Sequence, residues 1–557
     1  MGGYDDMRAI ACLVFLCASA LPAWPQTFAD IVLKNGRLIS LDAAISEAIA
    51  IRDHRIVALG TTQDIQTWVG PHTQVIDLLG HTVIPGLVDS HIHAIRAGLT
   101  EQSEVSWTGA SSVQEAIDRL VQAARKKPRG SWLIVAGGWT DKQFREGRRP
   151  SVQEMEQAIA HHPVYIQKNY VAFWVNAKGA QLLQLHHHAE LASRLTEDLD
   201  KSGHPTGWLN GSARTISDVY NLLPAPTLQQ QMRGSRQFFK KLNSYGITSV
   251  LDPGGYNLPL QAYQAVTGLA KRQQLSLRIH FSISAPRRHQ ELQDFQRILR
   301  HKTLPIAGEG MLYFNGLGEN VTWGMYNNER PTPEDQQQLK QVLLWAATEK
   351  RTVTFHWNSN ETVHLLLDVI EAVNQQQPIQ PLRWSIAHLN NASVESLQRM
   401  QALQMGWLIQ NASYFEHDRF IEKYGAPAVL QIPPIATGLA LGLPIGAGTD
   451  AHRVMSFNPF VCLQWLIDGK TVDGRATRAP SELLSRMEAL RLYTQGSAWF
   501  AHADQDVGDV KVGMLADLAV LDRDYLSIPV ADISALRARL TLVGGKVVYA
   551  SGAFARP

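Results

Sequence analysis

A short apolar run that ends in two histidines constrains this chain more than any other feature of its sequence. The run Val83-Ile84-Pro85-Gly86-Leu87-Val88 predicts a buried strand, and Asp89, His91 and His93 follow it closely. Because side chains alternate faces along a strand, the two imidazoles point the same way, about 7 Å apart along the chain. Two imidazoles placed in this way can bind one metal ion, so we interpret both as metal ligands.

Potential metal ligands also follow three further apolar segments of the chain. The segments are 352–355, 384–387 and 443–449, and the residues directly after them are His356, His388 and Asp450. Neutral imidazole and carboxylate groups suit Zn²⁺ or another divalent metal. The pattern therefore predicts a site for one or two such ions.

The segment 82–504 alternates apolar runs with helix-like stretches, which is typical of parallel strands joined by helices. Its length favours an α/β fold of the (β/α)₈ TIM-barrel type, in which the active site lies at the carboxyl ends of the strands. The candidate strands are 83–88, 132–136, 164–167, 248–251, 278–283, 352–355, 384–386, 406–409 and 444–447.

Both ends of the chain consist of short strands and turns. In the first of these regions, 24–81, Asn35-Gly36 is a strong signal for a hairpin turn. The second region, 505–557, contains a further predicted hairpin around Gly544-Gly545. We therefore expect the two regions to combine into one small β-sandwich-like domain.

Residues 1–23 have the character of a signal peptide. Arg8 precedes the apolar run 9–18, and small residues follow at 19–23. The run is shorter than the roughly 20 apolar residues of a membrane span, so no stable span is expected after cleavage. An uncleaved anchor or a buried helix is the alternative. The signal peptide predicts a periplasmic or secreted protein in which Cys462 is the one remaining cysteine.

The charge of the chain is nearly balanced. Its 52 basic and 50 acidic side chains give a formal net charge of +2, which argues against a nucleic-acid partner. A small-molecule substrate is the expected partner, and assembly into a homo-oligomer stays open.

Several motifs together resemble the amidohydrolase superfamily, and within it the YtcJ-like (amidohydrolase-3) branch, which includes N-substituted formamide deformylase. The similarity extends over nearly the whole chain beyond the signal segment. The segments that carry it are 85–93, 137–139, 149–150, 174–176, 246–252, 387–388, 448–450, 458–459 and 508–522, together with His356.

The resemblance implies a ligand set and a reaction. By it His91, His93, His356 and His388 are metal ligands, and Asp450 binds the metal or the attacking water and acts as general base. His388 is the second residue expected to take part in catalysis. The implied activity is metal-dependent hydrolysis of an amide-like carbon–nitrogen bond, other than a peptide bond, in a small molecule.

Two positions depart from the pattern of the branch. Relatives that bind two metal ions often carry a lysine that is carboxylated and bridges the ions, and the comparable segment 311–316 contains no lysine. Glu319 or Lys168 could take its place. A histidine common in the branch is replaced here by Val171. The sequence therefore leaves open whether one or two ions bind.

Two other functions remain as alternatives. Deaminases of the superfamily often have a glutamate three residues after the histidine of the fifth barrel strand, but this position is Ser359 here and Glu361 lies two residues further on. This argues mildly against hydrolytic deamination of a heterocycle. A non-catalytic binding protein with a degenerate site is the second alternative.

Contacts to the substrate are predicted only coarsely. The chain has 14 tryptophans, which suggests an apolar or aromatic pocket. We expect Trp139 and Trp357 to contact the substrate, because one lies in a predicted loop and the other follows a metal ligand directly. His452 and Glu319 are further candidates.

The N-terminal segment leads to a direct test. In a bacterial host, the full-length chain is expected to lose its signal peptide by cleavage after Ala20 or Ala23. Intact-mass measurement of the protein in the periplasmic fraction checks this. Uncleaved protein retained in the cytoplasm or membrane fraction would contradict it.

Overall fold

A computed structural model describes residues 28–159, 161–255, 258–300, 304, 310–326 and 330–555. The predicted signal peptide, 1–23, lies outside the described residues. The chain begins with strands that belong to two sheets: β1 (Ile31–Lys34), β2 (Arg37–Leu38), β3 (Ala48–Arg52), β4 (Arg55–Gly60), the helix α1 (Thr62–Ile65), β5 (Gln74–Asp77) and β6 (Thr82–Pro85).

An insertion follows the first barrel strand. The first barrel strand is β7 (Leu87–Asp89). The elements after it are, in chain order, α2 (Ala94–Thr100), α3 (Val113–Lys126), β8 (Leu133–Val135), α4 (Val152–Ala158), β9 (Val164–Lys168), β10 (Ala172–Val175), α5 (Ala177–Leu183), α6 (Ala189–Ala192), β11 (Thr196–Leu199), β12 (Pro205–Asn210) and α7 (Ala213–Tyr220). Strands β8 to β12 form a separate sheet in the order β11-β12-β10-β9-β8. The expectation that 132–136 and 164–167 are barrel strands is therefore wrong, because these runs pair with each other outside the barrel.

The rest of the barrel comes next, in regular alternation. Its elements are α8 (Leu228–Asn243), β13 (Ile247–Asp252), α9 (Gln264–Lys271), β14 (Arg278–Ile283), α10 (Glu291–Arg300), β15 (Leu312–Leu317), α11 (Pro333–Thr348), β16 (Thr352–Trp357), α12 (Asn360–Asn374), β17 (Ser385–His388), α13 (Val394–Ala402), β18 (Gly406–Gln410), α14 (Ala412–Tyr424), α15 (Ala426–Val429), α16 (Ile435–Ala440), β19 (Ile445–Gly448), α17 (Pro459–Asp468), α18 (Arg486–Leu492) and α19 (Gln495–Phe500). In the described part of the chain, no helix is both long and apolar enough to cross a membrane.

The C-terminal strands return to the start of the chain. They are β20 (Leu518–Leu521), β21 (Ala538–Val543) and β22 (Lys546–Ala550), and they form a five-stranded sheet in the order β2-β6-β20-β21-β22. A four-stranded sheet, β4-β3-β1-β5, lies against it, and both sheets contribute to one apolar cluster that contains Leu33, Ile51, Val83 and Leu518. The expected sandwich-like unit from both termini is thus present.

The first predicted hairpin does not form. Asn35 has the positive φ of 56° that the turn signal indicated. However, β1 pairs with β3 and β5, whereas β2 pairs with β6. The turn therefore sends the chain from one sheet into the other.

The predicted strand 83–88 is divided at Gly86. Strand β6 pairs with β20 of the terminal sheet, and β7 pairs with β13 of the barrel. A Cβ atom on Gly86 would lie 2.3 Å from Oγ1 of Thr248, so only glycine allows this close approach. The division connects the terminal sheet directly to the first strand of the barrel.

Eight parallel strands form the barrel in the order β7-β13-β14-β15-β16-β17-β18-β19, which confirms the predicted fold class. The first and last strands meet through a buried carboxylate. The N–H and hydroxyl of Thr449 donate to Asp89 at 3.0 and 2.6 Å. The N–H of Asp450 also donates to the carbonyl of His91 at 2.7 Å. These bonds close the barrel beside the histidine pair.

The terminal sheet contacts the amino-terminal end of the barrel strands. Arg278, the first residue of β14, makes a two-fold ion pair with Asp517, with N···O distances of 2.9 and 3.1 Å. The N–H groups of Gly86 and Gly544 also donate to the carbonyl and the carboxylate of Asp517. The motif around Asp517 therefore fixes the terminal sheet to the end of the barrel opposite the histidines.

Loss of this buried pair should be costly. Asp517→Ala is expected to lower the free energy of unfolding by about 3–5 kcal/mol, because it leaves the Arg278 guanidinium buried without its carboxylate. Urea unfolding measures the change. The matched control Asp218→Ala breaks a pair whose two side chains, Asp218 and Arg194, are 37% and 36% exposed, and should cost at most about 1 kcal/mol. Equal losses for the two variants would contradict the assignment.

Candidate metal centre

Six potential metal ligands converge at the carboxyl end of the barrel strands. They come from the first, fourth, fifth, sixth and eighth strands: His91 and His93 after β7, Glu319 after β15, His356 in β16, His388 at the end of β17 and Asp450 after β19. Five of the six residues are buried, and the side chain of His356 is 20% exposed. The barrel thus brings together the five residues that the sequence predicted as ligands, together with Glu319, one of the two candidates to replace the missing lysine.

The Glu319 carboxylate lies between four imidazoles. Its Oε2 atom is 3.4 Å from Nε2 of His91 and 3.1 Å from Nδ1 of His356. The same oxygen is 3.7 Å from Nε2 of His388. The other oxygen, Oε1, is 3.5 Å from Nε2 of His93. The two oxygens of one carboxylate therefore face different histidines.

Asp450 completes the group on the side of the histidine pair. Its Oδ1 atom is 3.7 Å from Nε2 of His91 and 3.4 Å from Nε2 of His93. Two overlapping groups of three residues offer ligand atoms within 4.8 Å of one another: His91, Glu319 and His388, and His91, His93 and Asp450. These are the ligand types that divalent zinc prefers.

The environment of His91 fits a metal ion. Its imidazole is fully buried, and neither ring nitrogen has a hydrogen-bond partner among the described residues. Buried polar atoms normally have a hydrogen-bond partner or a metal. A cation coordinated by Nε2 of His91 would provide that partner for this nitrogen. The donor set of imidazoles and carboxylates is therefore suitable for a divalent metal.

The orientation of His93 is fixed by its surroundings. Its Nδ1–H donates to the carbonyl of Gly254 at 3.0 Å, which leaves the lone pair of Nε2 directed at the carboxylates. The N–H of Gly254 in turn donates to Asp252 at 2.9 Å, and the N–H of Ile95 donates to the same carboxylate at 2.8 Å. Supporting contacts of this kind set the tautomer of a metal-binding histidine.

Both carboxylates of the centre are anionic at neutral pH. Burial by itself would raise the pKa of Glu319, but the hydrogen bond with His356 and the other nearby imidazoles hold that pKa well below its ordinary value. The pKa of Asp450 is also lowered, because the nearby imidazoles, above all that of His93, outweigh the effect of burial. Each carboxylate can therefore bind a cation without first losing a proton.

Two cavities, each of about 670 Å³, meet at this centre and share His356, His388 and Asp450. The first cavity has several further lining residues that sequence analysis did not single out as site residues: Arg96, Tyr170, Arg214, Arg288, Tyr326 and Arg330. Most of them lie in segments that follow barrel strands. This position, where such barrels form their active sites, is the signal that could have found them.

The two tryptophans expected to contact substrate lie elsewhere. Trp139 is 1% exposed, packs against Trp107 with ring centres 5.0 Å apart, and donates its indole N–H to the carbonyl of Gln167. Trp357 is fully buried. Side chains alternate along a strand, so Trp357 points away from the face on which His356 lies. That expectation is therefore wrong for both residues, whereas Trp323 does line the first cavity.

His452 and Lys168 are also held outside the cavities that meet at the centre. Nε2 of His452 is 3.1 Å from Oε2 of the buried Glu104. Lys168 lies in β9 of the separate sheet and forms an ion pair with Asp141 at 2.5 Å. Of the two candidates to replace the missing lysine, only Glu319 lies at the centre.

Family comparisons agree with this geometry. A model described as "Amidohydrolase family" matches residues 74–549, and the chain belongs to this family. It is 24% identical over 551 residues to Protein LONG AFTER FAR-RED 3 of Arabidopsis thaliana, covering 94% of this chain and 92% of that protein. It is 22% identical over 544 residues to N-substituted formamide deformylase of Arthrobacter pascens, covering 93% and 98%.

Among solved structures, the fold is similar to that of a metal-dependent hydrolase from Pyrococcus horikoshii. The TM-score is 0.64 at 20% identity, and the match covers 90% of this chain and 99% of the other. The resemblance found in the sequence is thus confirmed. The chain is a metal-dependent hydrolase of the amidohydrolase family, whose members act on small molecules.

The contacts of His452 lead to a pH-dependent prediction. Glu104 accepts hydrogen bonds from His452 and from the hydroxyl of Tyr220. Although burial opposes it, the charges of His452 and Arg453 lower the pKa of Glu104 from 4.5 to about 2. A carboxylate with a lowered folded-state pKa stabilises the fold above its unfolded pKa, and this stabilisation is lost as pH falls from about 4.5 towards 2.

Glu104→Gln should therefore have a lower free energy of unfolding than the wild type at pH 7. At pH 4 the difference in this free energy between the two proteins should be smaller by about 1 kcal/mol. Urea unfolding of both proteins at the two pH values measures it. Glu190→Gln, at an exposed position, is the control and should show no such narrowing. A difference that is constant with pH would contradict the ionised state of Glu104.

Proposed function

We propose that this chain hydrolyses an amide-like carbon–nitrogen bond of a small molecule at a centre of two divalent metal ions, for which Zn²⁺ is best suited. The observation that carries the proposal is the position of Glu319, whose two oxygens face His93 on one side and His91, His356 and His388 on the other. A carboxylate in this position replaces the bridging lysine that the sequence lacks.

The number of ligands supports two ions. A catalytic zinc ion usually takes three protein ligands and keeps one position open. Six residues converge here, and five of them form two overlapping groups that share His91. A single ion would leave several of these imidazoles and carboxylates without a metal to bind. Burying polar or charged groups without a partner is costly. The whole set would be used if two ions were bound, with Glu319 facing the imidazoles on both sides.

The chemistry follows from the positions of the side chains. When bound, divalent metal ions make water nucleophilic at neutral pH and polarise the substrate carbonyl. The Asp450 carboxylate accepts the proton of the attacking water and donates it to the leaving nitrogen. One water is consumed, the C–N bond breaks, and an acid and an amine are released. His388 lines both cavities. Its second role is to stabilise the negative charge that develops on the carbonyl oxygen of the substrate.

Amide hydrolysis is better supported than deamination. The similarity to an N-substituted formamide deformylase favours an amide-like substrate. Deaminases of the superfamily often have a carboxylate shortly after the histidine of the fifth strand, but Glu361 contacts Ser359 and the amide of Asn391 instead. Glu361 does not line either cavity at the centre among the described residues.

Two variants test the proposal together. Metal analysis of the purified wild type should find about two ions per chain, and Glu319→Gln should retain one or none because the shared ligand loses its charge. Asp450→Asn should lower kcat for N-formyl and N-acetyl amines by about 10²- to 10⁴-fold, since general acid–base catalysis contributes that much.

Lys168→Met is the matched control and should keep the metal content and activity of the wild type, because this lysine lies in the separate sheet. Hydrolysis should also stop after removal of metal with a chelator and return with Zn²⁺. Two ions in Glu319→Gln would contradict the bridging role. A wild type without metal would contradict the whole proposal.

A further inference from the structure

We propose that the substrate carries a carboxylate or similar anionic group away from the bond that is cleaved, and that Arg214, Arg288 and Arg330 at the cavity rim bind it. The inference rests on the proposed amide hydrolysis and specifies the class of its substrate. It replaces the expectation of an apolar or aromatic pocket, which the abundance of tryptophan suggested.

Four guanidinium groups line the first cavity and come from different parts of the chain. Arg96 is in α2, Arg214 in α7, Arg288 between β14 and α10, and Arg330 between β15 and α11. Arg96 is buried, and the other three are exposed at the rim. Segments that are distant in sequence thus place positive charge around one opening, whose inner end is the metal centre.

Among the described residues, no carboxylate pairs with the arginines of this rim. The acidic lining residues of the first cavity are Glu319, Asp450 and Asp335. The first two belong to the metal centre. Asp335 accepts hydrogen bonds from the N–H and the hydroxyl of Thr332 at 3.0 and 2.8 Å, and so caps the start of α11.

The rim arginines keep their positive charge unpaired. Across the described residues, no carboxylate forms an ion pair with Arg214, Arg288 or Arg330. Like charges around one opening repel each other, and an anionic ligand relieves that repulsion. The charge distribution therefore favours a substrate with a negative group over a neutral one.

One of the rim arginines is held in place. The guanidinium of Arg214 lies over the ring of Trp323, 5.0 Å from its centre. The indole N–H of Trp323 donates to the carbonyl of Ala285 at 3.1 Å, which fixes the ring. Stacking orients a guanidinium without using its N–H groups. These remain available for two-fold hydrogen bonding to a carboxylate, a geometry that arginine favours.

The dimensions are consistent with a small anionic amide. A cavity of about 670 Å³ is within the range of small-molecule sites. The scissile bond lies at the metal centre and the anionic group at the rim, so the substrate carries the two groups at opposite ends. An acylated amine with a carboxylate on its amine half meets this description.

A matched pair of substrates tests the inference. 4-(Acetamidomethyl)benzoate and N-benzylacetamide differ only in the carboxylate, which in the first lies at the opposite end of the molecule from the amide. The zinc-loaded wild type should have a kcat/KM at least about tenfold higher for the first, the size expected of one charge-assisted interaction. Arg288→Gln and Arg330→Gln should each remove most of this preference through KM, and leave the neutral substrate within about twofold.

Arg125→Gln is the control, since Arg125 is exposed on α3 and outside the cavity lining. Hydrolysis of both substrates at similar kcat/KM, or equal losses for both in the arginine variants, would overturn the inference and leave the proposed hydrolysis intact. Failure to hydrolyse either substrate would count against the proposed function for this class of amides.

A binding measurement keeps the inference testable without turnover. The dissociation constants of 3-phenylpropionate and 3-phenylpropanol for the zinc-loaded protein are compared by calorimetry. The anion should bind more tightly, and about tenfold more weakly to the Arg288→Gln and Arg330→Gln variants, with a steep loss at high salt. Binding of the anion that is unchanged in both variants would overturn the inference, because the metal centre alone would then account for it.

Discussion

The hydrogen bonds between Asp89 and Thr449 join the first and last strands of the barrel, and the geometry of the centre depends on them. Asp89 is fully buried, and burial raises its pKa to about 7 against the opposing effect of these bonds. Gly448 permits the contact, since a Cβ atom there would lie 2.5 Å from the N–H nitrogen of His91. Closure therefore places the histidine pair beside Asp450, and neither half of the site would be complete without it.

Charge is arranged in layers around this closure. The inner layer contains two ionised carboxylates among four imidazoles, a set that suits divalent cations. The outer layer is a rim of arginines. The buried pair of Arg278 and Asp517 lies at the opposite end of the barrel, where it fixes the terminal sheet. The contacts that stabilise the fold and the residues of the candidate metal centre thus lie at opposite ends of the same strands, as is common in barrels of this type.

Much of this arrangement could be read from the sequence. His91, His93, His356, His388 and Asp450 each follow an apolar run, and strand ends of a parallel barrel meet on one side. The predictions were wrong where the position of a residue does not follow from its place at the end of a barrel strand. The strands of the inserted sheet are short apolar runs like those of the barrel, and periodicity cannot tell which sheet a short strand joins. Burial of Trp139 and Trp357 likewise depends on neighbours that are distant in sequence.

The sequence by itself determined the strands, the family and five of the candidate ligands, because these depend on local patterns of apolar and metal-binding residues. Only the tertiary structure decided that Glu319, and not Lys168, lies between the imidazoles. It also decided that arginines from four segments surround one cavity. The physical reason is that local patterns fix the direction of a side chain along its own strand or helix, whereas distances between segments are set by barrel closure and by the packing of the loops above it.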